Sequence, residues 1–407
     1  MIKKWGGCFG LILSLFLVSG CWDSSEVNEI ALELAWGIDK APDDKIKISA
    51  QTIIPSKISG GQSEGAAGGS KEKPYFVVTS DGLNTLDAVQ RMQTKLSRQM
   101  FRGHRRVIVI GEEMGRQGLK EIFDTYTRDP NLKLRTDIFI VKGGTANHFL
   151  NLSYPLESIP GLGALGEYNQ LGTTAEVALL NFLLAATSEG TCPTAPSIVI
   201  GMNSDSQQEQ NQNQQSGTEK EGFRIAGSAI FNKDLKLVGF LNFKEDLALR
   251  WITGNLKELT VPAKIPQEKG NVSMDVFKVG RKIEPVYQGG KLKIDVTLTG
   301  KGAIRENNTD LDLTQTENIS LLQSALNRQV EKKVQQTITK VQQNYGTDVF
   351  GFSDVIRRKN LPLWRSIKNN WGEEFREAEI TVTAKLTVRR IGVTGPSLHL
   401  NPNEVKK

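Results

Sequence analysis

The sequence predicts a multi-domain mixed α/β fold whose mixed β-sheets are each covered by helices. Apolar patterns of strands and helices alternate through the N-terminal half, which is typical of layered α/β domains. Two segments near the C-terminus, 291–299 and 380–388, alternate between apolar and polar residues, as half-buried strands of an antiparallel or mixed sheet do. Between them, apolar residues recur every three or four positions, which indicates one long helix that covers a face of the sheet.

The first 20 residues have the three parts of a secretory signal. Lys3 and Lys4 form a positive start, the apolar stretch 9–17 follows, and the small pair Ser19-Gly20 precedes Cys21. This pattern predicts cleavage before Cys21 and attachment of a diacylglycerol there, because two acyl chains suffice for stable anchoring. An uncleaved membrane anchor needs about 20 apolar residues, and a plain secretory signal would leave the Cys21 thiol free.

Charge and cysteine content limit the possible partners. Removal of the 20-residue signal leaves 387 of the 407 residues and lowers the net charge from +6 to +4, because both lysines are lost. This mild, mixed charge argues against a nucleic-acid-binding tail and suits an anionic membrane surface. Cys8 leaves with the signal and Cys21 carries lipid, so no intrachain disulfide is expected. Cys192 is predicted to be a small buried side chain.

Residues 21–200 are predicted to form an N-terminal α/β domain. A Gly- and Ser-rich loop at 56–73 separates its first two strands. The predicted strands are 45–54, 75–79, 106–110 and 134–141, and the predicted helices are 83–100, with Leu83 and Leu86 on its apolar face, and 119–126.

A disordered Gln/Asn-rich linker is predicted at 201–222, because residues 203–221 contain no apolar side chain. Residues 223–275 follow as a middle domain made of a hairpin and a short helix. The C-terminal domain, 276–394, contains the two alternating strands and the long helix, which Gly346 is predicted to close. A tail at 395–407 ends the chain.

The sequence contains no complete pattern for catalysis or for metal or cofactor binding. The glycines of 161–166 match the dinucleotide fingerprint by letter, but no strand precedes them. The stretch 61–65 spells a nucleophile elbow within a flexible loop that cannot strain it. The three histidines of the chain lack the spacing of metal ligands. We therefore name no catalytic residue and expect no cofactor.

Two basic segments are candidates for contacts with other molecules. The segment 101–106 precedes a strand, so a solvated strand entry is favoured over a site for phosphate or carboxylates. In the segment 348–359, two phenylalanines flank a glycine, and Ser353 is predicted to cap a short basic helix. Arginine and aromatic residues are typical interface anchors. The candidate partner contacts are Arg357, Arg358 and, in the helix that begins at Pro362, Trp364, for which core packing is the alternative.

Several segments in order along the chain carry one family resemblance. They are Cys21-Trp22-Asp23, 26–30, Gly37-Ile38-Asp39, 103–110, 128–130, 134–136, Gly227 to Phe231, Leu237 to Gly239, 348–359, Leu363-Trp364, Asn370-Trp371 and 389–392. Together they resemble the Ger(x)C spore germination lipoproteins, the C subunits of nutrient germinant receptors.

The resemblance implies a lipid-anchored, non-catalytic subunit on the outer face of the spore inner membrane. It implies contacts with two integral membrane subunits, A and B, a requirement for germination in response to nutrients, and about three α/β domains in an extended arrangement. A solute-binding lipoprotein that captures a nutrient directly is the alternative, and it predicts two similar lobes around a ligand cleft. An exported hydrolase would need a catalytic pair that no local pattern supplies.

Overall fold

The computed structural model describes residues 29–58, 73–129, 133–154, 156–173, 178–201, 222–266 and 268–392. The predicted signal, Cys21, nearly all of the predicted linker and the predicted C-terminal tail lie outside these residues. Within the described part of the chain, no helix is both long and apolar enough to cross a membrane.

The first sheet contains nine of the described strands. They are β1 (Ile30–Lys40), β2 (Ile46–Ile53), β3 (Tyr75–Gly82), β4 (Gln99–Phe101), β5 (Val107–Gly111), β6 (Asp137–Val141), β7 (Thr194–Ile200), β8 (Phe223–Phe231) and β9 (Leu237–Asn242). Their order is β3-β2-β1-β5-β6-β7-β8-β9, and β4 pairs with the start of β1. The central strands are parallel and the outer ones antiparallel, so the predicted mixed sheet is confirmed.

Helices cover this sheet because its central strands are apolar on both faces. Every residue of β5 is buried, as expected of a parallel strand between two helical layers. The helices are α1 (Pro55–Ile58), α2 (Thr85–Gln93), α3 (Glu112–Gln117), α4 (Lys120–Arg128), α5 (Ala146–Asn151), α6 (Pro160–Asn169) and α7 (Leu179–Thr187).

The second sheet has four described strands and lies in the C-terminal half. They are β10 (Leu259–Ala263), β11 (Val272–Gln288), β12 (Lys291–Asn307) and β13 (Glu379–Arg390), in that order. Because β12 and β13 are parallel, the chain must cross over between them. Its helices are α8 (Phe243–Thr253), α9 (Thr316–Lys340), α10 (Phe352–Lys359), α11 (Leu361–Ile367) and α12 (Trp371–Glu377). The predicted long helix is α9, and Gly346 follows it in the left-handed conformation with φ 59°.

Helix α9 also closes the open edge of β13. The side chains of Gln323, Asn327 and Glu331 accept hydrogen bonds of 2.8–2.9 Å from the backbone N–H groups of Val388, Leu386 and Ala384. Four helical residues rise about 6 Å, close to the advance of two strand residues. The two spacings therefore match, and the helix satisfies donors that an edge strand leaves unpaired.

The structure changes two predictions about the N-terminal elements. Strand β1, at the centre of the sheet, was not predicted. The predicted helix 83–100 is shortened to α2, and its expected apolar face is wrong, since Leu83 and Leu86 are 71% and 59% exposed. Ala88 and Met92 are buried instead.

The predicted middle domain, 223–275, is divided between the two sheets. Its hairpin supplies β8 and β9 of the first sheet, because β8 pairs with β7 and continues the ladder. Strand β11 runs through the predicted boundary between 275 and 276. Ile230 and Leu241 from the hairpin pack into the core of the second sheet. The two units therefore meet over the hairpin.

Candidate functional site

A buried carboxylate organises the C-terminal motif at the junction of the two units. Asp348 is 2% exposed, and its oxygens accept hydrogen bonds from four successive backbone N–H groups. These belong to Phe350, Gly351, Phe352 and Ser353, at 3.1, 2.9, 3.2 and 2.8 Å. Burial raises the pKa of Asp348, and the hydrogen bonds offset part of that rise.

The predicted cap of the basic helix is corrected by this arrangement. Ser353 lies inside the first turn of α10, and Gly351 precedes the helix with φ 76°. That left-handed conformation favours glycine. It turns the free N–H groups of the helix start toward Asp348, which receives them in place of the serine hydroxyl.

Helix α10 begins against the loop between α7 and β7. The Thr191 hydroxyl lies 2.7 Å from a carboxylate oxygen of Asp354 and 2.9 Å from the Ser353 hydroxyl, and the Cys192 N–H donates to the Asp348 carbonyl oxygen at 2.7 Å. A Cβ atom on Gly190 would lie 2.4 Å from the Ser353 Cβ. The close approach of the two units therefore requires glycine here.

A lysine from the hairpin turn holds the other side of the same loop. Lys233 is half-buried, and its ammonium donates to the carbonyl oxygens of Ala185, Ser188 and Thr191. Two of these carbonyls lie at the C-terminal end of α7, where acceptors are left unpaired and a cation is favourable. Burial lowers the pKa of Lys233. The hairpin turn thus fixes the loop onto which α10 docks.

The predicted partner contact of Trp364 is not available on the surface. Trp364 is 1% exposed, and its indole N–H donates to Glu189 at 2.8 Å. Its ring packs edge-on against Trp371, with 5.4 Å between centroids, and Lys368 donates to the same glutamate at 3.1 Å. Trp364 therefore belongs to the internal junction, because the loop 188–192 covers it, a contact too distant in sequence to foresee.

Arg357 and Arg358 both lie exposed on α10. Arg357 is 3.7 Å from Asp354, and the neighbouring Lys359 pairs with Glu284 of β11 at 2.8 Å. Burial and then the charge of Arg358 lower the pKa of Arg281. Like charges in proximity favour an acidic counterpart. The prediction that these two arginines contact a partner remains a prediction.

The first basic segment contains one internal residue that the sequence did not distinguish. Arg105 is 3% exposed. Its guanidinium donates to Glu33 at 2.7 Å and to the Tyr126 hydroxyl at 2.9 Å, and it lies 3.7 Å from the centroid of the Trp36 ring. Such a buried pair costs several kcal/mol if one partner is removed. The pattern gave no signal for it, because Glu33 lies 72 positions away.

A cavity of about 590 Å³ lies where the two units meet. Arg250 borders it, but its guanidinium is paired with Asp246 and lies 4.6 Å from the centroid of the Tyr168 ring. The sheets on either side have nine and four strands in different orders. The solute-binding hypothesis expects two similar lobes, so this architecture does not favour it.

Comparisons with known proteins agree along nearly the whole chain. A family described as "Spore germination protein N-terminal domain" matches residues 23–200, and one described as "Spore germination B3/ GerAC like, C-terminal" matches residues 226–392. In Bacillus subtilis (strain 168), a putative spore germination protein, YfkR, is 28% identical over 95% of this chain and 96% of its own length. Spore germination protein KC of the same strain is 25% identical over 97% of both chains.

A solved structure shares the fold. The crystal structure of the GerBC protein aligns with a TM-score of 0.56 and 19% identity, over 86% of this chain and 96% of that chain. Spore germination protein GerQC of Bacillus cereus is 25% identical over 97% of this chain and all of its own length. The matches are therefore to whole proteins.

Proposed function

This chain belongs to the GerAC-like family of spore germination proteins, and from this premise we propose that it is a lipid-anchored, non-catalytic subunit of a nutrient germinant receptor. The family resemblance predicted from the sequence is confirmed, and with it a role in spore germination. The observation that carries the proposal is the match of both family regions in order, over nearly the whole chain.

Three buried residues in the segments that resemble the family, Asp348, Trp364 and Arg105, build an internal scaffold. Asp348 arranges the turn before α10, Trp364 holds the loop at Glu189, and Arg105 pairs with Glu33. Each is buried and hydrogen-bonded to other parts of the chain, as residues that maintain a fold are. We infer that the protein acts through its surface, as an assembly subunit.

The proposed partners are the A- and B-type integral membrane subunits, on the outer face of the spore inner membrane. The exposed arginines of α10, Arg357 and Arg358, are the proposed contact with acidic groups of one of them. Exposed arginines on a fixed helix suit this role. Because the guanidinium is planar, little side-chain freedom is lost for each hydrogen bond that it donates to a carboxylate.

Co-purification from detergent-solubilised spores tests the proposal. We expect an affinity-tagged chain to retain both membrane subunits, and an Arg357→Glu/Arg358→Glu variant to lose at least one of them. Lys291→Glu/Lys301→Glu is the matched control, since both lysines are exposed on strand β12 of the second sheet. If the wild-type protein is recovered alone, the receptor-subunit proposal is refuted.

A further inference from the structure

The parallel strands of the first sheet all begin at one end of it. Ile30 of β1 is level with Gln99 of β4. Five residues further along β1, Ala35 is level with Val107 of β5, which is level with Asp137 of β6. The Arg106 N–H donates to the Leu34 carbonyl oxygen at 2.8 Å. The residues that enter β1, β4, β5 and β6 come from three separate stretches of the chain, near 29, 98–106 and 133–136, and the sheet gathers them at this end.

These entering segments are basic. Arg98 precedes β4, Arg106 precedes β5, and Lys133 and Arg135 precede β6; all four are exposed. We call these four residues the basic rim. Their side chains form no ion pair within the described ranges, so their charges are available to an external anion.

Most acidic groups at the same end neutralise other cations, and Asp137, the half-buried first residue of β6, lies beside the rim. Asp129 pairs with Arg102 at 2.7 Å, and Asp124 pairs with Arg128 at 2.7 Å. Glu29, at the start of the described chain, is exposed. The four rim cations therefore outnumber the two acidic residues beside them, Glu29 and Asp137.

Exposed leucines lie next to the rim. Leu134 stands between Lys133 and Arg135, and the Leu180 N–H donates to its carbonyl oxygen at 2.9 Å, which places the start of α7 here. Leu184 lies one helical turn beyond Leu180, on the same face. The three leucines are 36%, 39% and 60% exposed. Apolar side chains ringed by cations are typical of surfaces that lie on a membrane.

The proposed tether leads to this end of the molecule. Eight residue steps separate Cys21 from Glu29, and a fully extended chain of that length spans at most about 28 Å. Glu29 directly precedes β1. The lipid anchor therefore keeps the start of β1 within this distance of the bilayer, which is a tighter limit than for any later segment.

We propose that the basic rim lies on the membrane and binds the headgroups of anionic phospholipids, with the three leucines at the lipid boundary. The proposal extends the lipid anchor of the proposed function to a defined orientation. The rim supplies the electrostatic contact, and the acyl chains at Cys21 supply the hydrophobic one. The end of the first sheet at which the parallel strands begin would then face the bilayer.

Vesicle sedimentation of the mature chain without lipid (residues 21–407, Cys21→Ser) tests this directly, since every described residue is retained. We expect binding to vesicles of phosphatidylcholine and phosphatidylglycerol in equal parts, little binding to phosphatidylcholine alone, and loss of binding at about 1 M salt. The quadruple variant Arg98→Gln/Arg106→Gln/Lys133→Gln/Arg135→Gln should bind at least about tenfold more weakly.

The matched control is the variant Lys264→Gln/Lys269→Gln/Lys278→Gln/Lys301→Gln, which removes four exposed lysines from the second unit. It should bind about as well as the unsubstituted chain. Equal losses in both variants, unchanged binding of the rim variant, or no binding of the wild-type chain to anionic vesicles would each overturn the proposal.

Far-ultraviolet circular dichroism and the two half-variants, Arg98→Gln/Arg106→Gln and Lys133→Gln/Arg135→Gln, guard against a folding defect. A failure here leaves the co-purification result untouched, so the two proposals fail separately.

Discussion

Single residues at the junction carry unusually many contacts. Asp348 is the clearest case, because one buried carboxylate receives four backbone donors. The sequence motif that contains it was noticed for its aromatic and basic residues, whereas the acid at its start organises the turn.

Asp348→Ala should destabilise the protein by about 2–4 kcal/mol, because buried N–H groups lose their acceptor. The midpoint of urea unfolding measures this. Asp295→Ala removes an exposed carboxylate from β12 and should change stability by less than about 0.5 kcal/mol. Equal effects of the two substitutions would contradict the role given to Asp348.

Cys192 is buried as predicted, at 5% exposure, and burial raises the pKa of its thiol from 9.0 to about 11. The unfolded chain loses this proton near pH 9, whereas the folded chain keeps it. The contribution of Cys192 is therefore fully present below pH 9 and is lost as the pH rises to about 11, by up to about 3 kcal/mol.

Unfolding of the mature chain at several values of pH measures that loss. Cys192→Ala should flatten the fall between pH 9 and 11, after allowance for a lower stability at every pH. In the native protein, a thiol reagent at pH 8 should leave Cys192 unmodified until denaturant is added. Rapid modification of the native thiol would show that the side chain is accessible.

Among whole elements, α9 shows most directly how spacing in sequence becomes structure. Its apolar stripe, from Leu322 to Val341, gave its position and its buried face, because six regularly spaced apolar residues fit one helix face only. Its second role, as the lid over the edge of β13, uses polar residues beside that stripe. Nothing in their types distinguishes them from solvent-exposed side chains.

Asn327→Ala should cost about 1–2 kcal/mol, because the partly buried Leu386 N–H loses its partner. Arg328→Ala, on the exposed face of the same helix, is the control and should have little effect. Chemical denaturation compares the two. If Asn327→Ala lowers stability no more than Arg328→Ala does, water replaces the side chain at this edge and the hydrogen bond from Leu386 to Asn327 does not stabilise the protein.

Strand β1 illustrates what a pattern misses. It carries the buried acids Glu33 and Asp39, which interrupt an apolar run and hide a central strand. Each acid accepts hydrogen bonds from far away in sequence: Glu33 from Arg105, and Asp39 from the N–H groups of Ala146 and Asn147, at 2.7 and 2.8 Å. Burial raises the pKa of Asp39 even so.

At the scale of the whole molecule, the two sheets are joined by residues from segments that are not consecutive in sequence. The hairpin of β8 and β9 belongs to the first sheet by hydrogen bonding, yet Ile230 and Leu241 pack into the second core. Lys233 and the loop 188–192 complete the junction with α10. The interface is thus continuous with both cores.

The attachment of this body to a membrane is the prediction at this scale. Cys21→Ala should abolish acylation, and the precursor should keep its signal, since the thiol that receives the lipid is absent. Mass spectrometry and membrane fractionation of sporulating cells measure both. A variant that is processed normally and stays in the membrane fraction would show that lipid at Cys21 is not the tether.

The sequence by itself determined the features that repeat locally: the signal pattern before Cys21, the alternating strands, the stripe of α9, the hairpin and the ordered family motifs. Periodicity and short motifs depend only on residues that are neighbours in sequence, so these features do not depend on tertiary contacts. The tertiary structure alone decided which faces are buried and which charges meet. It buried Trp364 against Glu189, 175 positions away, and Arg105 against Glu33, 72 positions away. It also exposed Leu83 and gathered the basic rim. Each depends on how separate segments pack together, which local spacing does not encode.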